Sequence, residues 1–181
     1  MRAPERLPQA LPPLAFALAL AIPGSAHAYE EQWTLELDAG YARALPGGEA
    51  AADGAQLGVT ASWGPSDLFA LRGRASYGFH PAPDPLHVAL VGAEVVYLLD
   101  ILEWVPYFGA GVDAFVSARA GRTRGNLGLH AVVGLDYLPR RDLLFGIEAR
   151  AYVLPTGFGD GAFEPAYLSG GLKVGWLFAG Y

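Results

Sequence analysis

The chain has 181 residues, of which 52% are hydrophobic and 17% charged, with 24 glycines, no cysteine and a formal net charge of −6. A chain without cysteine has no disulfide framework and no lipoprotein anchor, and its acidic charge argues against a nucleic-acid partner. Beyond the N-terminal segment no stretch is long and apolar enough for a transmembrane helix. If the chain spans a membrane, it must therefore close its strands into a barrel.

Residues 1–28 have the pattern of an export signal. Arg2 and Arg6 give a basic start, an apolar run covers residues 14–22, and residues 26–28 (Ala-His-Ala) form a small-x-small cleavage site. The apolar run is too short to span a bilayer as a helix. We therefore expect a signal peptide over 1–28 and a single barrel domain over 29–181, a length that suits one domain.

Apolar residues alternate with small or charged residues along most of the remaining chain, and this period of two predicts β-strands. In the first strand, for example, Trp33 and Leu35 alternate with Glu36 and Asp38. The pattern breaks at stretches rich in glycine, proline or charge, which predict turns and loops. Eight strands result, over residues 32–42, 56–63, 69–79, 87–99, 106–116, 127–138, 143–153 and 166–178.

The faces of the sixth and seventh strands indicate the kind of sheet. One face is wholly apolar and includes Leu135 and Ile147, whereas the other mixes glycine with His130, Glu148 and Arg150. Glycine weakens a strand, so a soluble sheet seldom places it on its polar face. A narrow barrel needs small residues and a few charges inside, and apolar residues on an outer wall that meets lipid. We therefore predict an all-β, eight-stranded, antiparallel up-and-down transmembrane barrel; the rival is a soluble carrier with an apolar lumen.

Two further regularities agree with a membrane barrel. The connections 43–55, 80–86, 117–126 and 154–165 are longer than the connections 64–67, 100–105 and 139–142, as expected for external loops and periplasmic turns. Outward aromatic residues collect at the strand ends next to the shorter turns, where a membrane interface is expected. They are Trp33, Trp63, Phe69, Tyr97, Phe108, Tyr137, Phe145, Trp176 and Phe178.

The chain resembles the small eight-stranded outer-membrane barrels of the OmpA and OmpX type over nearly all of residues 29–181, most specifically in residues 104–112 and 134–152. The last strand is similar to the assembly signal of these proteins. Its polar residue, glycine and spaced aromatic residues are Lys173, Gly175, Phe178 and Tyr181. The resemblance implies location in the outer membrane of a Gram-negative cell, contact with outer-membrane lipid and lipopolysaccharide, and delivery by the outer-membrane assembly machinery. We expect a monomer.

Ten charged residues are predicted to point into the barrel. An ion path or gate is one interpretation, but eight strands enclose barely enough room for side chains, so a packed network of ion pairs is favoured. Because buried charges must be paired, each partner is expected to matter for stability. The ten residues are Glu36, Asp38, Arg72, Arg74, Glu94, Asp113, Asp136, Glu148, Arg150 and Lys173.

Three other groups suggest chemistry. His130 and Glu148 invite comparison with the outer-membrane lipid A deacylases, but the His-x-Ser signature of those enzymes is absent, because Val132 stands in the serine position. His80, Asp84 and His87 flank the second external loop and suggest a metal site, although three prolines between them favour a stiff surface loop. The predicted third external loop carries three arginines suited to bidentate contact with lipopolysaccharide phosphates: Arg119, Arg122 and Arg124.

The sequence therefore predicts a small integral outer-membrane barrel with a structural or surface-interaction role. We expect no catalytic site, no cofactor and no metal. A lipid-A-modifying enzyme and a narrow pore are the alternatives.

Overall fold

A computed structural model describes residues 32–45, 51–81, 83–99, 103–155 and 166–179. The predicted signal peptide and the last two residues, Tyr181 among them, lie outside the described part of the chain. Eight strands are present: β1 (Gln32–Leu45), β2 (Ala52–Gly64), β3 (Phe69–His80), β4 (Leu86–Leu98), β5 (Trp104–Arg119), β6 (Arg122–Arg140), β7 (Leu143–Val153) and β8 (Ala166–Ala179). No helix among the described residues is long and apolar enough to cross a bilayer.

The strands form a closed barrel in which each strand pairs antiparallel with its neighbour in sequence and β8 pairs with β1. The predicted eight-stranded antiparallel barrel is confirmed. Following the paired residues once around the wall from Trp33 leads back to β1 at Arg43, a displacement of ten residues (43 − 33). Such a displacement requires strands that are tilted relative to the barrel axis.

The bulky apolar side chains lie on the outer wall. Ile147 is 54% exposed and Trp176 is 41% exposed, and Leu135 occupies the same face of its strand. Charged side chains lie inside the barrel instead; Arg150 and Lys173, for example, are buried. This arrangement excludes the soluble carrier with an apolar lumen, because water would then meet a wall of hydrocarbon.

The two ends of the barrel differ. Because β1 begins and β8 ends at the same end, we call it the terminal rim, and we call the opposite end the distal rim. The outward aromatic residues predicted for one end surround the terminal rim, where they contact one another across neighbouring strands. The ring pairs of this aromatic belt are Trp33–Trp63, Phe69–Tyr97, Tyr97–Phe108 and Trp104–Tyr137.

The two longest strands, β5 and β6, contradict one prediction from the sequence. Residues 117–126 were expected to form a long external loop, but β5 and β6 continue through them and are joined only by Ala120 and Gly121. These two residues have φ of +48° and +75°, and two positive φ values are typical of a tight hairpin turn. The rule that every distal connection is longer than every terminal one therefore fails here. The arginines and glycines of this segment obscure the alternation, so its sequence predicts a loop.

Candidate functional site

The ten predicted interior charges all lie on inward positions of the strands. Nine of them are buried, and Asp38 is partly exposed. They form a layer across the middle of the barrel, which we call the ionic layer, between two apolar plugs. Neighbouring inward positions hold glycines, and a side chain there would have no room: a Cβ at Gly92 would lie 2.1 Å from the Asp113 carboxylate. The alternation of glycine and charge in the sequence therefore reflects the narrow lumen.

Arg150 is the centre of this ionic layer. Its guanidinium donates two hydrogen bonds to the Glu94 carboxylate, at 2.5 and 3.0 Å, and its Nε donates to Glu148 at 2.9 Å. Arg74 connects Glu148 to Asp38: its Nη1 lies 3.1 Å from Glu148, and each of its two Nη atoms lies 2.7 Å from Asp38. Charge-assisted bonds of this bidentate kind are the stronger class of hydrogen bond.

A second part of the layer lies closer to the terminal rim. The Lys173 ammonium contacts Glu36 at 2.8 Å and Asp136 at 2.9 Å. Arg72 lies 3.9 Å from both Glu94 and Asp136, which joins the two parts of the network. The guanidinium of Arg72 also lies 4.2 Å from the centroid of the Tyr107 ring, an attractive cation–π distance.

Two members of this layer were not among the predicted network residues. Tyr107 donates from its hydroxyl to Glu148 at 3.0 Å. His130 hydrogen bonds through Nδ1 to Asp113 and through Nε2 to Glu94, the latter at 2.7 Å. Two carboxylates face its two ring nitrogens, and an imidazolium that donates to both satisfies this arrangement. As an imidazolium, His130 adds a fifth cation opposite six carboxylates; its inward position in the alternation could have placed it in the layer, but could not have shown its two contacts.

Apolar plugs close the layer on both sides. Near the terminal rim Val96, Leu98, Val105, Leu144 and Leu177 pack around Tyr107. Near the distal rim the plug combines aliphatic and aromatic side chains, and it consists of Leu86, Val88, Leu90, Phe115, Tyr152, Leu154 and Tyr167 with smaller neighbours. The interior cavities beside Arg74 and Arg72 measure only about 10 Å³ each, which is room for about one water molecule. The described residues thus enclose no continuous channel.

The three predicted phosphate-binding arginines lie together on the β5–β6 hairpin, beyond the distal plug. Arg119 and Arg122 are direct cross-strand partners. Arg124 pairs with Ser117, two residues further from the turn along each strand. All three occupy inward positions in the alternation, so they face the barrel axis and not the surrounding membrane. The outward positions between them hold only small residues: Ala118, Ala120, Gly121, Thr123 and Gly125.

The histidines of the suggested metal site point to opposite sides of the wall. His80 is buried, hydrogen bonds to the Ala52 carbonyl and lies 3.2 Å from the Tyr167 hydroxyl. His87 faces outward and lies 2.5 Å from the hydroxyl of Tyr77. The two imidazoles therefore cannot share one metal ion, and no cluster of three or more potential metal ligands occurs among the described residues.

Neither protein-family profiles nor curated protein sequences match the chain. Solved structures do. Neisserial surface protein A is 16% identical with a TM-score of 0.66, covering 82% of this chain and 97% of its own. Ail of Yersinia pestis is 14% identical with a TM-score of 0.56, covering 82% and 99%. The outer-membrane enzyme PagL is 18% identical with a TM-score of 0.51, covering 77% and 97%.

The fold is therefore that of the small eight-stranded outer-membrane β-barrels. This is a statement about architecture, since the identities are low. The neighbours that share it include surface proteins and an enzyme, so the role of this chain has to be argued from its own residues.

Proposed function

We propose that the chain is a small, non-catalytic integral protein of the Gram-negative outer membrane that presents a basic hairpin at the cell surface. Its apolar outer wall and its aromatic belt match the lipid-facing side of a transmembrane barrel. In this proposal the terminal rim faces the periplasm, the distal rim faces outward, and β8 supplies the signal for the assembly machinery.

The interior argues for a structural role and against a pore. Every carboxylate of the ionic layer contacts a basic side chain, and two apolar plugs cover the layer. An ion entering it would have to break charge-assisted bonds in a region without bulk water. We therefore assign the ten interior charges the role of holding the eight strands together.

An enzyme like PagL would need its reacting groups on the lipid-facing wall. His130 is instead buried inside the barrel between two carboxylates, and no serine accompanies it. The outward-facing pair of Tyr77 and His87 has no third group that the described residues place against the free side of the imidazole. The arrangement therefore favours binding over catalysis.

The observation that carries the surface role is the inward-facing set of Arg119, Arg122 and Arg124. The side chains start about 5 Å apart across the hairpin and about 7 Å apart along it, a spacing that suits several anionic groups on one ligand. A structure of Ail holds the heparin analogue sucrose octasulfate. We propose that the hairpin binds phosphate or sulfate groups of surface glycans, lipopolysaccharide included.

The membrane setting is tested by electrophoresis of detergent-extracted protein with and without boiling. A folded membrane barrel is expected to migrate differently when it is not heated. Extraction in plain buffer together with identical migration would overturn the proposal. Planar-bilayer recordings test the sealed interior, and we expect no conductance steps.

The hairpin is tested with two variants of equal charge change. R122Q/R124Q removes two arginines at the distal rim, and R140Q/R141Q removes two exposed arginines near the terminal rim. We expect the first to weaken binding to immobilised heparin or to lipopolysaccharide about tenfold, since partly exposed ion pairs contribute up to about 1 kcal/mol each. The second should leave binding unchanged. Equal losses in both variants would show that only net charge matters.

A further inference from the structure

The outer wall of β2, β3 and β4 is not evenly covered by bulky side chains. It contains a groove of about 670 Å³. Ala61, Gly73 and Ala93 form the floor, and the strand register places them side by side. The exposed side chains of Leu71 and Val95 form one raised side of the groove.

The groove begins at the aromatic belt. At the terminal rim its end is formed by Trp33 and Trp63, whose rings stack with centroids 6.4 Å apart. From there it crosses the wall to Ala110 and Val112 on β5. Four strand-to-strand steps of about 4.8 Å give a length of roughly 19 Å, comparable to an extended fatty-acyl chain. Its volume is in the range of small-molecule sites, which is about 300–1,000 Å³.

No steric contact with another described residue explains why position 73 is a glycine. A Cβ at Gly58 or Gly134 would lie 2.3 Å from a neighbouring side chain, whereas a Cβ at Gly73 would meet nothing within 4 Å. Glycine weakens a strand interior, and where it occurs it often marks the close approach of a ligand or of another backbone. The space above Gly73 is thus left open for something other than this chain.

The shape and position of the groove indicate its occupant. Arg72 and Glu94 also line the groove, but their side chains are buried in the lumen, and the other lining residues are apolar, so the groove suits hydrocarbon. A second copy of the barrel fits it poorly, because its convex wall would touch the raised side chains of Leu71 and Val95 and leave the floor empty. The tryptophans lie at headgroup depth, where indole N–H groups find polar partners.

We propose that this groove binds one fatty-acyl chain of a phospholipid from the membrane leaflet at the terminal rim. The inference rests on the membrane setting proposed above, but it does not depend on the arginine hairpin. Trp33 and Trp63 position the lipid near its headgroup, and Gly73 admits the chain to the floor.

The test compares G73F with A149F, which adds the same ring to an outward alanine on β7, away from the groove. Each full-length protein is extracted in mild detergent and mixed with phosphatidylethanolamine. Native mass spectrometry then measures the fraction that retains one lipid. We expect the unsubstituted protein and A149F to retain one lipid, and G73F to retain at least tenfold less. Single-chain lysophosphatidylethanolamine should compete, because only one chain occupies the groove.

Heat-modifiable migration of all three proteins shows that they are folded membrane barrels, so a failure of the membrane setting would appear there first. With folding intact, equal retention by G73F, absence of retention by the unsubstituted protein, or no competition by the single-chain lipid would overturn the inference. A dimer that G73F converts to a monomer would also overturn it, since a second barrel would then be the occupant.

Discussion

The barrel carries two sets of inward-facing arginines that differ only in their surroundings. Arg72, Arg74 and Arg150 are buried in the lumen, where each lies among carboxylates. The hairpin arginines occupy the same side of the alternation but lie beyond the distal plug, where Arg122 is exposed. The proposed roles of this one residue type on one face therefore differ: arginine holds the strands together below the plug and binds ligands above it.

This difference follows from solvation. A buried charge that loses its partner cannot be rescued by water, whereas an exposed charge is solvated whether or not it is paired. Substitutions in the lumen should therefore change the stability of the barrel, and substitutions in the hairpin should change binding.

The largest effect is expected from R150M. It leaves Glu94 and Glu148 without their central partner, and breaking a buried pair in this way costs about 3–5 kcal/mol. The free energy of unfolding in urea, measured in lipid vesicles, should fall by that amount, and the unheated electrophoretic form should be lost at lower temperature.

R122Q is the matched control, because an exposed substitution usually changes stability by no more than about 0.5 kcal/mol. If R150M and R122Q had equal effects on unfolding, the division between lumen and hairpin would be wrong.

A smaller loss is expected from H130Q. Glutamine is neutral and can donate to only one of the two carboxylates, so Asp113 or Glu94 would face an amide oxygen. A lost bond to a charged group contributes about 1.5–3 kcal/mol. The double variant H130Q/D113N should recover part of the loss, because two amides can pair with each other. Strictly additive losses in the unfolding free energies would show that the His130–Asp113 contact is not coupled.

The fold was largely predictable from the sequence, because the two faces of a barrel wall produce an alternation of apolar residues with small or charged ones. Apolar residues such as Ile147 and Trp176 must lie outside at every second position, and a one-residue slip would move them all into the lumen. Strand ends are less well determined. The alternation through Arg119 and Arg124 continues β5 and β6, but arginine, threonine and glycine are equally common in loops, so the hairpin was read as a loop.

Most members of the interior site were predictable from the sequence, but their contacts were not. Inward parity identified Glu94 and Arg150, but it could not show that they form a bidentate pair or that His130 joins them. Those contacts depend on which strands face each other across the lumen, which is set by the ten-residue displacement of the wall. The groove at Gly73 was missed for a related reason: its floor is assembled from three strands.

Two glycine substitutions extend the comparison from charges to packing. In G134A the new Cβ would lie 2.3 Å from the Tyr107 ring, whereas in G73A it would meet open space. Overpacking of this kind costs about 1–3 kcal/mol, so G134A should lower the free energy of unfolding by about that amount. G73A should be neutral or slightly stabilising, since alanine suits a strand better than glycine. Equal losses in the two variants would mean that strand propensity, and not lumen packing, determines the outcome.

The smallest effect is expected at the tip of the arginine hairpin. Ala120 has a φ of +48°, a conformation that costs a residue with a Cβ about 1 kcal/mol and that asparagine tolerates better. A120N should therefore slow hydrogen exchange of the amides of residues 117–126 about twofold, because it stabilises the tip by only a few tenths of a kcal/mol. G121A should speed the same exchange, since it places a second Cβ at positive φ. Neither variant should change the global unfolding of the barrel, because the tip lies beyond the buried plug. A global shift in A120N would show that the hairpin and the lumen are one cooperative unit.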